Sequence, residues 1–237
     1  MTATLLSQTG KITRTELQAI PVPHGTSTHQ PLPHHEIVEA LLETLGFRRI
    51  DVVRDEYAVS HDGMRMFGVL DLELGITGVR FSIGIRNAND KSMRLAMCIG
   101  YRVLVCDNMA FHGDFTPVLA KHSKNFSLVD AVSIGVDRMQ RNFEPLAGHI
   151  ELVQHTPLTN EAAKLIIYRA FVEGSLEAPK HLARAVHENY FQPRHEEFEA
   201  RTAWSLSNAF TSSFKELDAV PQFRATAKLA GFLEAAR

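Results

Sequence analysis

Residues 79 to 103, VRFSIGIRNANDKSMRLAMCIGYRV, decide the fold of this chain. Apolar side chains take the odd-numbered positions of two runs, 81 to 85 and 93 to 105, and the polar loop Asn87 to Lys91 separates the runs. Alternation with a period of two is typical of half-buried strands. No helix lies between the runs to carry a parallel crossover, so the sequence predicts an antiparallel hairpin.

The segments before this hairpin continue the same fold. Residues 52 to 60 and 64 to 74 alternate around Asp62-Gly63, a tight-turn signal, and predict a first hairpin. Helical spacing predicts a helix from His34 to Leu45. Residues 21 to 33 contain four of the ten prolines, so residues 1 to 33 are expected to form an extended arm.

After Phe111 the apolar pattern becomes helical. Residues 125 to 237 are expected to form an almost wholly helical half, with later helices near 160 to 173, 179 to 190, 199 to 217 and 222 to 235. The first helix should bury one stripe, which consists of Val129, Val132, Val136, Met139 and Phe143. The predicted class is α+β: an N-terminal helix and two hairpins of antiparallel sheet over residues 34 to 115, with the helical half packed on the sheet.

Composition and charge exclude several classes of protein. The 237 residues carry a net charge of -2, and no run of apolar residues is long enough to span a membrane. Residues 1 to 10 lack the pattern of a secretory signal, so the expected location is the cytoplasm. Two cysteines cannot build a disulfide framework or an all-cysteine zinc site.

The even-numbered face of the second hairpin is the candidate binding surface. Residues 80 to 102 contain five basic side chains and only one acidic side chain, although the whole chain is slightly acidic. Guanidinium groups beside small residues suit a phosphate backbone. The predicted nucleic-acid-binding residues are Arg80, Arg86, Lys91, Arg94 and Arg102. The plainer alternative is that small residues seat a covering helix and the arginines pair with carboxylates at its rim.

Neither the histidines nor the cysteines form a recognisable catalytic or metal site. His34, His35, His181, His187 and His195 lack a spacing that brings two imidazoles together, so no metal and no cofactor is expected. Cys106 follows a strand and has His112 nearby, which is compatible with a nucleophile, but the sequence places neither a base nor an oxyanion donor. Cys98 and Cys106 are expected to be reduced, buried structural thiols.

Residues 81 to 111 resemble a phage/plasmid-like family, domain of unknown function 932. Its motif reads approximately Asn-Ser-His-Asp-Gly-Ser, followed by Arg-Val-Val-Cys-Ser-Asn. The matching positions are Asn87, Asp90, Ser92, Arg102, Val103, Val105, Cys106 and Asn108. Trp204 and Asn208 match a later Thr-x-Trp-x-x-x-Asn-Ala segment, whereas Ala88, Asn89 and Lys91 depart from the first motif. The resemblance implies an association with prophages and plasmids and no known reaction.

The leading expectation is a non-enzymatic protein that binds nucleic acid as a recombination or replication accessory factor. The order of elements is also similar to that of single-strand annealing proteins, although fold analogy does not transfer function. The expected partner is single-stranded nucleic acid; the alternatives are an acidic protein bound by a regulatory module, and an enzyme that uses Cys106. The sequence leaves the oligomeric state open.

Overall fold

The computed structural model describes residues 10–112, 118–123 and 126–236, and it confirms the α+β class. Residues 1 to 9, on which the expectation about export rests, lie outside this part. None of the helices in the described ranges is long and apolar enough to cross a membrane.

One antiparallel sheet occupies the first half of the chain. Its strands are β1 (Gly10–Ile12), β2 (Val52–Val59), β3 (Arg65–Ile76), β4 (Val79–Ala88), β5 (Leu95–Val103), β6 (Asn108–Phe111) and β7 (Val118–Ala120). They are ordered β1-β2-β3-β4-β5-β6, and β7 pairs with β5 beside β6. The sheet is therefore larger than the two predicted hairpins.

The predicted second hairpin ends earlier than the alternation suggested. Strand β5 stops at Val103, and the turn through Asp107, which has a φ of 54°, reverses the chain into β6. Strands β6 and β7 have only four and three residues, too few to show a period. The expectation of helix throughout the chain after Phe111 is thus wrong at β7.

The register of β4 and β5 explains why their odd positions are apolar. Phe81 pairs with Tyr101, Ile83 with Ile99 and Ile85 with Met97, and all six side chains are buried in one core. Burial of this face is the main source of stabilisation, because removing apolar area from water contributes about 25 cal/mol per Å².

Seven α-helices within the described ranges complete the fold. They are α1 (Arg14–Gln18), α2 (His34–Phe47), α3 (Leu128–Gln154), α4 (Asn160–Phe171), α5 (Leu182–Phe191), α6 (Ala203–Phe214) and α7 (Ala219–Ala235), with a 3₁₀ turn at Glu196–Phe198. Helices α2 and α3 contribute to the core over the odd face. In α3 Val132, Val136 and Met139 are buried as predicted and Phe143 is partly buried against the core, but Val129, in the first turn of the helix, is 67% exposed.

The even face of the sheet is also covered. The Phe111 side chain lies over Gly84 and Gly100, where an added Cβ would come within 2.5 and 2.7 Å of the ring. Phe223 of α7 packs on Phe111, with ring centroids 5.3 Å apart. Helices α4 to α7 also share a separate core. Small residues such as Gly84 and Gly100 on the even face therefore leave room for the Phe111 ring and for helix α7.

The N-terminal segment is not an extended arm where it is described. Gly10–Ile12 pair with β2, and α1 begins at a capping box formed by Thr13 and Glu16. The proline-rich residues 21 to 33 lack regular structure, but they are tied to the sheet: the Leu32 backbone exchanges two hydrogen bonds, each 3.0 Å long, with the Asn89 side chain.

Candidate functional site

The five predicted phosphate-binding residues do not form one surface. Arg102 is only 2% exposed, and its Nε donates to the Asp71 carboxylate at 2.7 Å. Glu56 and Asp107 also lie within 4 Å of its guanidinium. Arg102 is therefore a buried structural cation, which matches the plainer alternative, although its partners lie on strands and a turn and not on a covering helix.

Arg80 and Arg86 are half-buried. The Arg86 guanidinium lies over the Phe223 ring of α7, 5.6 Å from its centroid, and burial lowers the pKa of this group. Arg80 lies opposite Arg102 in the β4–β5 register, at the far end of the hairpin from the loop. These two arginines therefore do not extend the solvent-facing cationic surface that the sequence suggested.

Lys91 and Arg94 are exposed and line a cleft of about 450 Å³ at the loop end of the hairpin. Lys121, which follows β7, lines the same cleft. We call this the cationic cleft; its lining residues are Thr28, His29, Lys91, Ser92, Met93, Arg94, Lys121, His122 and Ser123. Within the described ranges, none of the three cations has an ion-pair partner, and no carboxylate lines the cleft.

Three separate segments build the cationic cleft. Strand β7 pairs with Leu95–Met97 and so brings Lys121 beside Arg94. The proline-rich segment closes the cleft, because Gln30 N donates to the His122 carbonyl at 3.1 Å. Sequence reasoning missed Lys121, His29 and His122, since only the pairing of β7 with β5 brings them to the hairpin loop.

Two histidines form one wall of the cleft. The His29 and His122 rings are stacked, with centroids 5.4 Å apart and planes 10° apart. His122 is 5% exposed, and neither ring nitrogen has a hydrogen-bond partner among the described residues. Burial, reinforced by the neighbouring His29 and His34, lowers the pKa of His122 to about 4.

The first set of family-motif residues shapes the loop beside the cleft. Asn87 is fully buried and donates to His34 Nδ1 at 2.9 Å, while His34 Nε2 donates to the Gly63 carbonyl. Asp90 accepts from the Ser92 backbone and hydroxyl, and its other oxygen lies 3.6 Å from Arg65. The Asp90 charge is thus partnered outside the cleft, which leaves the lining basic.

The second set joins the sheet to the helical half. Asn108 Nδ2 donates to the backbone carbonyl and the side-chain oxygen of Asn208, at 3.1 and 3.0 Å. Trp204 packs on Tyr101 with ring centroids 5.7 Å apart. The Cys106 carbonyl accepts from Lys215 Nζ at 2.6 Å. These contacts position α6, so these residues have a structural role.

Both cysteines are free thiols. Cys98 is buried, and burial raises its pKa to about 12; Cys106 is half-buried, and burial raises its pKa as well. A raised pKa reduces the thiolate fraction and so opposes a nucleophilic role. Among the residues that the structure describes, no three His, Cys, Asp or Glu side chains are grouped to hold a metal.

No protein-family model, curated protein or solved structure matches the chain. The site is therefore interpreted from its own geometry.

Proposed function

We propose that the protein binds single-stranded nucleic acid through the cationic cleft. The observation that carries this proposal is the convergence of Lys91, Arg94 and Lys121, without ion-pair partners among the described residues, on a cleft that no carboxylate lines. Cations without protein partners are available to phosphate groups, and their binding releases the counterions of the nucleic acid.

The size of the cleft favours a single strand over a duplex. About 450 Å³ matches one drug-sized ligand, and hence about one nucleotide. A flexible strand can place one nucleotide there and set its neighbouring phosphates against the exposed cations Lys91, Arg94 and Lys121, whereas a duplex can only touch the rim. The stacked His29 and His122 rings are only 9% and 5% exposed, so they form a rigid wall beside the cations and leave the binding to phosphate contacts.

The resemblance to the phage/plasmid-like family supports a role for this binding in recombination or replication. In that role the protein is an accessory factor that holds a strand by its backbone and reads little of its sequence. Affinity for different sequences of equal length should then be similar.

The direct test is fluorescence anisotropy with a labelled oligothymidine at two salt concentrations. Arg94→Gln is expected to weaken binding about five- to tenfold at low salt, because one phosphate contact is lost. The matched control is Arg184→Gln, since Arg184 is exposed but already paired with Glu188 on α5. Equal weakening by both substitutions would contradict the assignment of the site.

Polyglutamate distinguishes the alternative partner, an acidic protein. If the cleft binds phosphate groups on a flexible strand, unlabelled oligothymidine should displace the labelled strand at a much lower concentration than polyglutamate does. Displacement by polyglutamate at equal or lower charge concentration favours the acidic protein instead.

A further inference from the structure

A second cleft lies at the opposite end of strand β5. It has a volume of about 500 Å³ and opens between the β5–β6 turn, the C-terminal part of α6 and the segment after α5. We call it the α6 cleft; its polar lining includes Cys106, Asp107, Asn189, Arg194, His195, Ser212 and Lys215. The nucleic-acid binding proposed for the cationic cleft does not involve the α6 cleft.

Lys215 is the half-buried cation of the α6 cleft. Its Nζ donates to the Cys106 carbonyl at 2.6 Å, which holds the ammonium at the cleft wall. No carboxylate of the described residues lies within ion-pair distance of it. Burial lowers the pKa of Lys215, and the nearby Asp107 only partly offsets this effect.

Two further basic groups line the same cleft. Arg194 is exposed and His195 half-buried, and neither forms an ion pair within the described ranges. The Asp107 carboxylate is already shared by two guanidinium groups, with Arg102 Nη1 at 3.6 Å and Arg54 Nη1 at 3.7 Å. Glu216, which is exposed, also lines the cleft. Lys215 and Arg194 are therefore the two cationic side chains of the lining without an ion-pair partner among the described residues, whereas the Asp107 carboxylate is already engaged by two guanidinium groups.

We infer that the α6 cleft binds a small polar anion whose phosphate or carboxylate group lies between Lys215 and Arg194. The neutral lining supports a polar body for this ligand, because half-buried Asn189 and Ser212 line the cleft with an amide and a hydroxyl group. A volume near 500 Å³ suits a molecule the size of a mononucleotide. The site is separate from the cationic cleft, since the two lie at opposite ends of β5.

Calorimetric titration of the full chain with three probes tests this inference: adenosine monophosphate, citrate and inorganic phosphate. At least one should bind with a Kd below about 1 mM. If adenosine monophosphate binds, adenosine should bind about tenfold more weakly, because it lacks the charged group. Citrate binding without adenosine monophosphate binding would assign a carboxylate ligand, which is the same chemistry from another source.

The variants assign the binding to a site. Lys215→Met and Arg194→Gln should each weaken the bound probe about tenfold, and Lys215→Arg should restore most of the affinity. Lys228→Met is the matched control, because Lys228 is exposed and paired with Glu177. Arg194 is exposed and without an ion pair, so its variant stays informative even if Lys215→Met fails to fold.

Three results would overturn the inference. One is the absence of binding of all three probes at about 10 mM. The second is a probe whose affinity is unchanged by both Lys215→Met and Arg194→Gln. The third is a probe whose affinity falls only with Arg94→Gln, because that anion would belong to the cationic cleft.

Discussion

Arg102 and Asp71 form a buried ion pair across the sheet, with Nε to Oδ2 at 2.7 Å and side chains 2% and 1% exposed. Ser82 donates to the other Asp71 oxygen at 2.6 Å. Because of this pair, Arg102 of the second hairpin is a buried structural residue and does not contribute a surface charge. The cations available to a ligand consequently lie at the loop end of the hairpin.

Arg102→Met should lower the free energy of unfolding by about 3–5 kcal/mol, because it leaves the Asp71 carboxylate buried without its cation. Urea denaturation followed by circular dichroism measures the effect. The control is Arg94→Met, which should stay within about 0.5 kcal/mol of wild type since Arg94 is exposed. Equal stability of the two variants would contradict the structural role of Arg102.

Val136 and Val129 of α3 form a matched pair of substitution sites. Val136→Asp should unfold the protein or cost several kcal/mol, because Val136 is fully buried. Val129→Asp should be tolerated, since Val129 is 67% exposed and lies in the first turn, where acidic groups are favourable. Thermal melts compare the two; similar melting temperatures would refute the position of α3 on the sheet.

Gly84 and Gly148 should respond to alanine in opposite directions. At Gly84 a Cβ would come within 2.5 Å of the buried Phe111 ring, so Gly84→Ala should cost about 1–3 kcal/mol. At Gly148, exposed on α3, a Cβ meets nothing within 4 Å, and alanine should stabilise the helix by about 0.5–1 kcal/mol. A neutral Gly84→Ala in chemical denaturation would mean that Phe111 does not cover the even face.

Stability should fall on acidification from about pH 6.5 to pH 4. Burial, with His149 nearby, lowers the pKa of His112 to about 4, and burial does the same for His122. The unfolded chain therefore takes up protons near pH 6.5 while the folded state stays neutral, which favours unfolding. Above about pH 6.5 these two groups should cause no pH dependence.

His122→Phe tests this linkage, because the substitution removes a titrating group whose ring nitrogens have no partner among the described residues. Its unfolding free energy should change less between pH 7 and pH 4 than that of wild type. The same slope in His122→Phe and wild type would exclude His122 as a contributor.

The periodicity of the sequence predicted the α+β class and the odd face of the second hairpin, because alternation in Phe81, Ile83 and Ile85 directly reflects burial. It did not predict strands β6 and β7. These strands have four and three residues, too few to show a period, and β6 reaches β5 only through the turn that ends at Asp107.

The candidate site was predictable only in part. Lys91 and Arg94 are visible as local charge, but the burial of Arg102 depends on Asp71, which lies 31 residues away in the sequence. Lys121 reaches the cationic cleft only because β7 adds to the edge of β5. A count of charges along one strand cannot reveal which of them have distant partners.

The central claim is that the cationic cleft binds single-stranded nucleic acid, and the salt dependence of binding tests it most directly. The measurement compares the affinity of wild type for oligothymidine between about 50 and 200 mM salt with that of Lys91→Gln/Arg94→Gln/Lys121→Gln. We predict measurable wild-type binding at low salt and a slope of log affinity against log salt that is lower by about two in the triple variant, about 0.7 for each lost phosphate contact. No wild-type binding at about 50 mM salt, or an unchanged slope in the triple variant, would contradict the claim.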